Sequence, residues 1–384
     1  MSTPKPLRIA IIGHAFMGRA HAHAWRTAPA FFDLPLAPTV QVIVGRSGVG
    51  AAEFAENWGI PEYSNDWREV IAREDIDLID ICTPGDTHAE IAIAALAAGK
   101  HVLCEKPLAN TQAEAEAMVE AARLAAAQGV FAMCGYSYRR TPALTLAREM
   151  VAGGFLGTLW QVRAQYLQDW LADPQAPWVW RLDAGLAGSG ALGDIGSHII
   201  DAAQWVSGRS ILGVSALTQT FVQARPLSDG GLGEVTVDDA AVFSARLEGG
   251  VLGAFEATRY ATGRKNALRL ELSGSEGAIA FDLSESNVLE VFSVSDGARA
   301  GFARIDVTQP GHPYAEWWPP GHALGYEHAF SNQAADLVRA IAAGVQPLPS
   351  FADAAQVQAV LGAVQRSAAA EGVFTALGKD VADR

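Results

Sequence analysis

The chain has 384 residues, half of them apolar and 18% charged, enough for more than one buried core and without the composition of an extended disordered tract. A formal charge of −14 argues against nucleic acid or an anionic membrane surface as partner, since both require clustered Lys and Arg. The opening MSTPKPLRIAIIG is too short in apolar residues for a secretory signal, and no run reaches the about 18 needed to span a bilayer, so a cytoplasmic protein is expected.

The first third alternates short apolar runs with helical patterns. Strands are expected at 7–12, 40–44, 78–82, 101–104 and 130–134, and helices at 17–28, 49–58, 88–98 and 111–127. This is the pattern of βαβ units around a parallel, doubly wound sheet. Gly99 and Gly129 stand where left-handed helix caps are expected. Cys82, Cys104 and Cys134 each end an apolar run, which suits reduced core thiols better than a disulfide or metal site, and no metal is expected.

After Gly135 the texture changes. A helix at 142–151 is followed by strands at 159–167, 211–222, 240–247, 251–258, 267–272 and 277–281, mostly joined by Gly-rich turns. Strands in direct succession predict an antiparallel sheet. A helix at 192–205 interrupts them, and helices at 325–342 and 351–370 close the chain. Two domains follow: 1–136, a Rossmann-type α/β domain, and 137–384, an α+β domain with a large, mostly antiparallel open sheet.

Several motifs carry chemistry. Gly13-His14-Ala15-Phe16-Met17-Gly18 joins the first strand to the first helix, where a dinucleotide pyrophosphate meets backbone N–H groups and the helix dipole. Ala15 stands at the usual middle glycine, so this turn also suits a plain strand-to-helix connection. At the end of the second strand the usual ribose-binding acid is replaced by Arg46-Ser47. Arg46 suits an adenosine 2′-phosphate, which favours NADP over NAD, or it is a solvent-facing loop residue. Thr83-Pro84 and the helix opened by His88 face the carboxyl edge of the sheet. Glu105-Lys106-Pro107 ends the next strand, as a cleft-facing lysine or a structural salt bridge. Asp194 and His198, four residues apart, share a face of one predicted helix, either as a carboxylate supporting an imidazole acid/base or as helix acid and core histidine. The ten tryptophans cluster partly in loops, as at Trp170, Trp178, Trp180, Trp317 and Trp318, where rings stack on sugar faces or pack into cores.

Taken in order, the glycine turn, Thr-Pro, Glu-Lys-Pro, Gly135-Tyr-Ser-Tyr138-Arg139-Arg140 and Gly193-Asp194-x-Gly-x-His198-x-x-Asp201 resemble the Gfo/Idh/MocA oxidoreductase family over almost the whole chain. The 166–174 stretch with 190–194 is most similar to its inositol- and levoglucosan-type sugar dehydrogenases. The resemblance implies a Rossmann domain followed by a mostly antiparallel sheet, with an active site between them and a homodimer or homotetramer formed on the open sheet face. It assigns Lys106, Asp194 and His198 to catalysis. Gly13, Ala15, Phe16, Met17, Arg46, Ser47, Thr83, Pro84, His88, Glu105 and Lys106 become contacts of NAD(P). Tyr138, Arg139, Tyr166 and Trp170, with the catalytic three, become contacts of a carbohydrate or polyol substrate. The implied reaction moves a hydride between a secondary hydroxyl and the nicotinamide, with His198 as proton acceptor, Lys106 as donor to the reacting oxygen and Asp194 as their support. Some relatives cleave glycosides through transient oxidation or serve only as NAD(P)-binding sensors; joint presence of Lys106, Asp194 and His198 favours an enzyme.

Overall fold

The computed structural model describes residues 4–378, so the ends 1–3 and 379–384 of the two expected domains lie outside the described residues. The chain forms two compact units, one comprising residues up to Arg140 with Gly325–Ala355, the other Thr141–Leu324 with the chain from Gln356 onward.

In the first unit, strands β1 (Lys5–Ile12), β2 (Leu36–Val44), β3 (Glu62–Ser64), β4 (Leu78–Ile81), β5 (His101–Cys104) and β6 (Ala132–Cys134) pair in parallel in the order β3-β2-β1-β4-β5-β6. They alternate with helices α1 (Phe16–Phe31), α2 (Gly48–Trp58), α3 (Trp67–Ile71), α4 (His88–Ala97) and α5 (Gln112–Ala126). Burial on both sheet faces explains the continuous apolar runs, and β4 has no exposed residue. The order reverses between β1 and β4, which places the ligand edge at the carboxyl ends of those strands. Gly99 and Gly129 take φ of 73° and 76°, as the cap reading requires. The short β3 and α3 carry too few residues for a periodic signal and were not expected. Cys82, Cys104 and Cys134 are free and buried. Burial, with Asp80 alongside, pushes the Cys82 thiol up to about 12.

The rest of the chain supplies α6 (Pro142–Ala152), β7 (Leu159–Leu167), α7 (Ala184–Ala187), α8 (Ser197–Ser207), β8 (Ile211–Gln219), β9 (Ala224–Pro226), β10 (Leu232–Glu234), β11 (Ala240–Leu247), β12 (Leu252–Thr258), β13 (Ala267–Gly274), β14 (Gly277–Asp282), β15 (Val288–Ser293), β16 (Ala303–Asp306), α9 (Tyr326–Ala343), α10 (Phe351–Ala369) and β17 (Thr375–Ala376). Nine strands form one sheet in the order β16-β15-β14-β13-β7-β12-β11-β8-β17, and β9 with β10 makes a separate hairpin. All its pairings are antiparallel except β7 with β12. That exception is possible because the long segment between β7 and β8, containing α8, supplies the crossover a parallel neighbour needs. Along β11 exposed and buried residues alternate, so one sheet face is open, bearing Leu217 and Val242 beside the Gln165–Glu256 and Arg163–Glu271 hydrogen bonds. Strands β15 to β17 were missed because, at the sheet edges or, for β15, next to one, they show little burial to impose alternation.

Helix α9 belongs to the first unit, whereas the sequence places all of 137–384 in the second domain. Tyr326 stacks on Phe16 at 6.1 Å, Phe330 meets His21 at 5.5 Å and Arg339 lies over Phe32 at 5.2 Å. An amphipathic pattern shows that α9 has a buried face, without naming the helix that covers it. Among the described residues, no helix is long and apolar enough to cross a membrane.

Candidate active site

The turn after β1 is fixed by contact as well as conformation. Gly13 has φ of 111°, and a Cβ there would lie 2.6 Å from the Cys82 carbonyl oxygen; at Gly18 a Cβ would lie 2.1 Å from the Gly13 oxygen. Ala15 departs from the three-glycine pattern without strain, because it is the extended residue just before α1, with φ of −80°. No side chain caps α1, so its first N–H groups keep their donors for an anion. Phe16 is exposed and Met17 half-buried at this helix start. The cradle therefore fits a pyrophosphate, with the glycines as the requirement and Ala15 as a tolerated change.

Beyond β2, Arg46 and Ser47 are exposed at the same edge. The Ser47 hydroxyl caps α2 by accepting from the Gly50 N–H at 3.2 Å. The ring of His14 fills the space next to Gly45 and Gly50, where a Cβ would lie 2.2 Å and 2.8 Å from its nitrogens. His14 thus shapes the surroundings of Arg46, a role that sequence reading missed although Gly45 and Gly50 bracket the position.

At the β4 and β5 tips, Thr83 accepts from the Thr87 hydroxyl at 2.7 Å, and Pro84 leads into the helical turn before α4. His88 is buried, with ring nitrogens 2.9 Å from the Thr83 oxygen and 3.0 Å from the Pro107 oxygen, so it braces the two tips. Glu105 turns inward and is also buried. It meets Nε2 of His21 at 3.0 Å and accepts from the Lys106 N–H at 3.3 Å. Nδ1 of His21 faces Asp80 at 2.8 Å, and the Trp25 indole donates to the same carboxylate at 2.6 Å. Burial lowers the His21 basicity, but the Asp80 charge and hydrogen bond outweigh it and hold the ring's pKa well above the ordinary value. Glu105 is thus both half of a buried ion pair and the residue that anchors Lys106. His21, Asp80 and Cys82 also have metal-ligand chemistry, but their polar atoms are engaged with one another and with Trp25. Lys106 is half-buried at the strand tip, and its bond to Pro107 is cis. Tyr138 and Arg139 are buried at the end of this unit, Tyr138 edge-on to Tyr326.

In the second unit, the expected helix at 192–205 begins as a π-helical turn, Leu192–Gly196, and continues as α8. Such turns cluster at functional sites, and this one carries Asp194 at its centre. Its start is pinned by Asp238, whose carboxylate accepts from the Gly190 and Leu192 N–H groups at 2.7 Å each. Asp194 is partly exposed, and its carboxylate accepts from the Arg259 guanidinium at 2.9 Å. Arg259 is fully buried at the end of β12 and lies 5.4 Å from the ring centre of Trp170, itself 40% exposed. His198 is nearly buried, its ring 5.8 Å from that of Tyr166, whose hydroxyl donates to Asn266 at 2.8 Å. Trp178 instead packs on the Leu171, Leu182, Val235 and Val237 cluster. Arg259 and Asp238 had no sequence signal: an arginine after a strand and an aspartate in a loop are ordinarily solvated.

Residues 7–136 match the family model of oxidoreductases with an NAD-binding Rossmann fold, and residues 144–280 match that of the GFO/IDH/MocA C-terminal domain. The chain is 41% identical over 382 residues to levoglucosan dehydrogenase of Pseudarthrobacter phenanthrenivorans, covering 95% of this chain and 97% of that one. Among solved structures, an oxidoreductase domain protein from Kribbella flavida is 55% identical with a TM-score of 0.95, covering 98% of this chain and 100% of that one. A levoglucosan dehydrogenase complex with NADH and levoglucosan is 41% identical with a TM-score of 0.94, at 98% and 100% coverage. The chain is an NAD-binding enzyme and belongs to the Gfo/Idh/MocA family of oxidoreductases.

Proposed function

We propose that the chain oxidises a secondary hydroxyl of a sugar, anhydrosugar or cyclitol, levoglucosan being the first substrate to test. The observation that carries this is the Asp194 carboxylate, held by a buried arginine at a π-turn that runs directly into the His198 helix, in a chain 41% identical to a levoglucosan dehydrogenase. The nicotinamide cofactor, when bound on the glycine turn, supplies the hydride acceptor. His198 takes the hydroxyl proton, an imidazole being able to do so near neutral pH. Lys106, anchored through Glu105, donates a hydrogen bond to the reacting oxygen and stabilises charge that grows there. Asp194 keeps the proton-transfer group oriented. The exposed Trp170 ring supplies a surface suited to the apolar C–H faces of a sugar, while the buried Tyr166 ring lies beside His198.

The absence of an acid after β2, together with the exposed Arg46, supports tighter binding of NADP than of NAD. The open face bearing Leu217 and Val242 supports self-association, tested by sedimentation of the parent and of L217E. The activity test is NAD and NADP reduction against a panel of sugars, anhydrosugars and inositols. Net release of reduced cofactor with levoglucosan or a related polyol is expected. Glycoside cleavage without net reduction, or no turnover on any member, overturns the reading.

A further inference from the structure

Two arginines, Arg225 and Arg259, are among the largest fully buried side chains, and both serve the irregular segment between β7 and α8. Arg225 donates to the carbonyls of Leu171, Asp173 and Ala176 and to the Tyr260 hydroxyl, which is a stapling role only. Arg259 differs. One nitrogen reaches the Arg181 carbonyl at 3.4 Å, the other donates to the Asp194 carboxylate at 2.9 Å, and the guanidinium carbon lies over the Trp170 ring, 5.4 Å from its centre. Where Arg225 is held by carbonyls and a hydroxyl, Arg259 has a carboxylate partner, and that partner is the one carboxylate of the assigned catalytic set. Its planar fork can hold several acceptors in fixed directions, which a lysine ammonium cannot.

We infer that Arg259 is a positioning residue that couples the reaction carboxylate to the sugar-binding surface, fixing Asp194 on one side and the Trp170 ring on the other. This rests on the proposed sugar oxidation. Asp194 governs turnover and Trp170 governs substrate affinity, so loss of Arg259 acts on kcat through the first and on KM through the second. A purely structural arginine has no reason to divide its effects in this way.

The test compares R259M and R259K in the parent, in D194N and in W170A, with levoglucosan or the best substrate from the panel. In the parent, R259M is expected to lower kcat by about 10- to 100-fold and raise KM several-fold, as loss of a charge-assisted hydrogen bond and a cation–π contact implies. In D194N the further drop in kcat from R259M shrinks below about twofold, and in W170A the rise in KM disappears, the non-additivity expected of residues acting as a unit. R259K is expected to recover part of kcat and little of KM. Equal factors in all backgrounds, or parent-like kinetics in R259M, overturn the inference. If R259M fails to fold, as judged by its melting transition and NADH fluorescence titration, the same comparison is read from R259K, whose smaller loss of kcat must again vanish in D194N. A crystal structure of whichever variant folds separates the two proposals: displacement of the Asp194 carboxylate and the Trp170 ring supports the coupling even if no sugar is turned over, and unchanged positions of both overturn it.

Discussion

Nε2 of His21, on α1, lies 3.0 Å from the carboxylate of Glu105, the residue that precedes Lys106, and both side chains are buried. With Asp80 on its other nitrogen, the ring faces carboxylates on both sides, and the Asp80 charge and hydrogen bond hold its pKa well above the ordinary value despite burial. The first turns of α1 are thereby joined to the strand tip that carries Lys106.

This relationship makes stability depend on pH in a defined direction. The ring's pKa is raised in the folded chain above its ordinary 6.5, so the folded state holds a proton that the unfolded chain releases above that pH. The contribution is therefore complete below about 6.5 and is lost as pH rises through the folded value. The melting temperature of the parent should fall on the alkaline side, and His21→Gln should remove that component. The substitution leaves Asp80 and Glu105 buried without their cation, so at neutral pH it should cost roughly 3–5 kcal/mol by denaturant titration.

A second prediction concerns the π-turn. A Cβ at position 190 would lie 1.7 Å from the backbone oxygen of Asp238, so Gly190→Ala must push the two segments apart. Overpacking of this kind costs typically 1–3 kcal/mol, and here it displaces the turn carrying Asp194. Turnover should fall by at least tenfold while NADH binding, measured by fluorescence, stays near the parent value. Equal loss of both would show a general folding defect.

Lys106→Ala and His198→Ala should each lower kcat by roughly 10²–10⁴-fold, the range for losing a positioned proton-transfer or oxyanion-stabilising group. Steady-state kinetics on the identified substrate checks this, and full turnover in either variant contradicts the assigned roles.

Arg46→Ala should reduce the NADP over NAD preference by about tenfold, the size of one charge-assisted hydrogen bond. Direct titration with both reduced cofactors measures it. Equal affinities in the parent would remove the basis for assigning Arg46 to a 2′-phosphate.

What repeats locally could be read from the residues alone. Strands such as β7 and β11 and the βαβ order were legible because buried runs and helical periods are written in neighbouring residues. The glycine turn was legible because only a residue without a side chain fits beside the Cys82 and Gly13 carbonyls. Lys106, Asp194 and His198 could be named from motif order, while their surroundings could not. The inward turn of Glu105 onto His21, the pairing of Arg259 with Asp194, the support from Asp238 and the return of α9 to α1 join residues far apart in the chain. Charged side chains in a sequence carry no mark of burial, since whether a carboxylate meets water or a guanidinium depends on which distant segment the fold sets against it. That is why the supports of Lys106, Asp194 and His198 emerged only from tertiary structure, while motif order had singled out the three residues themselves.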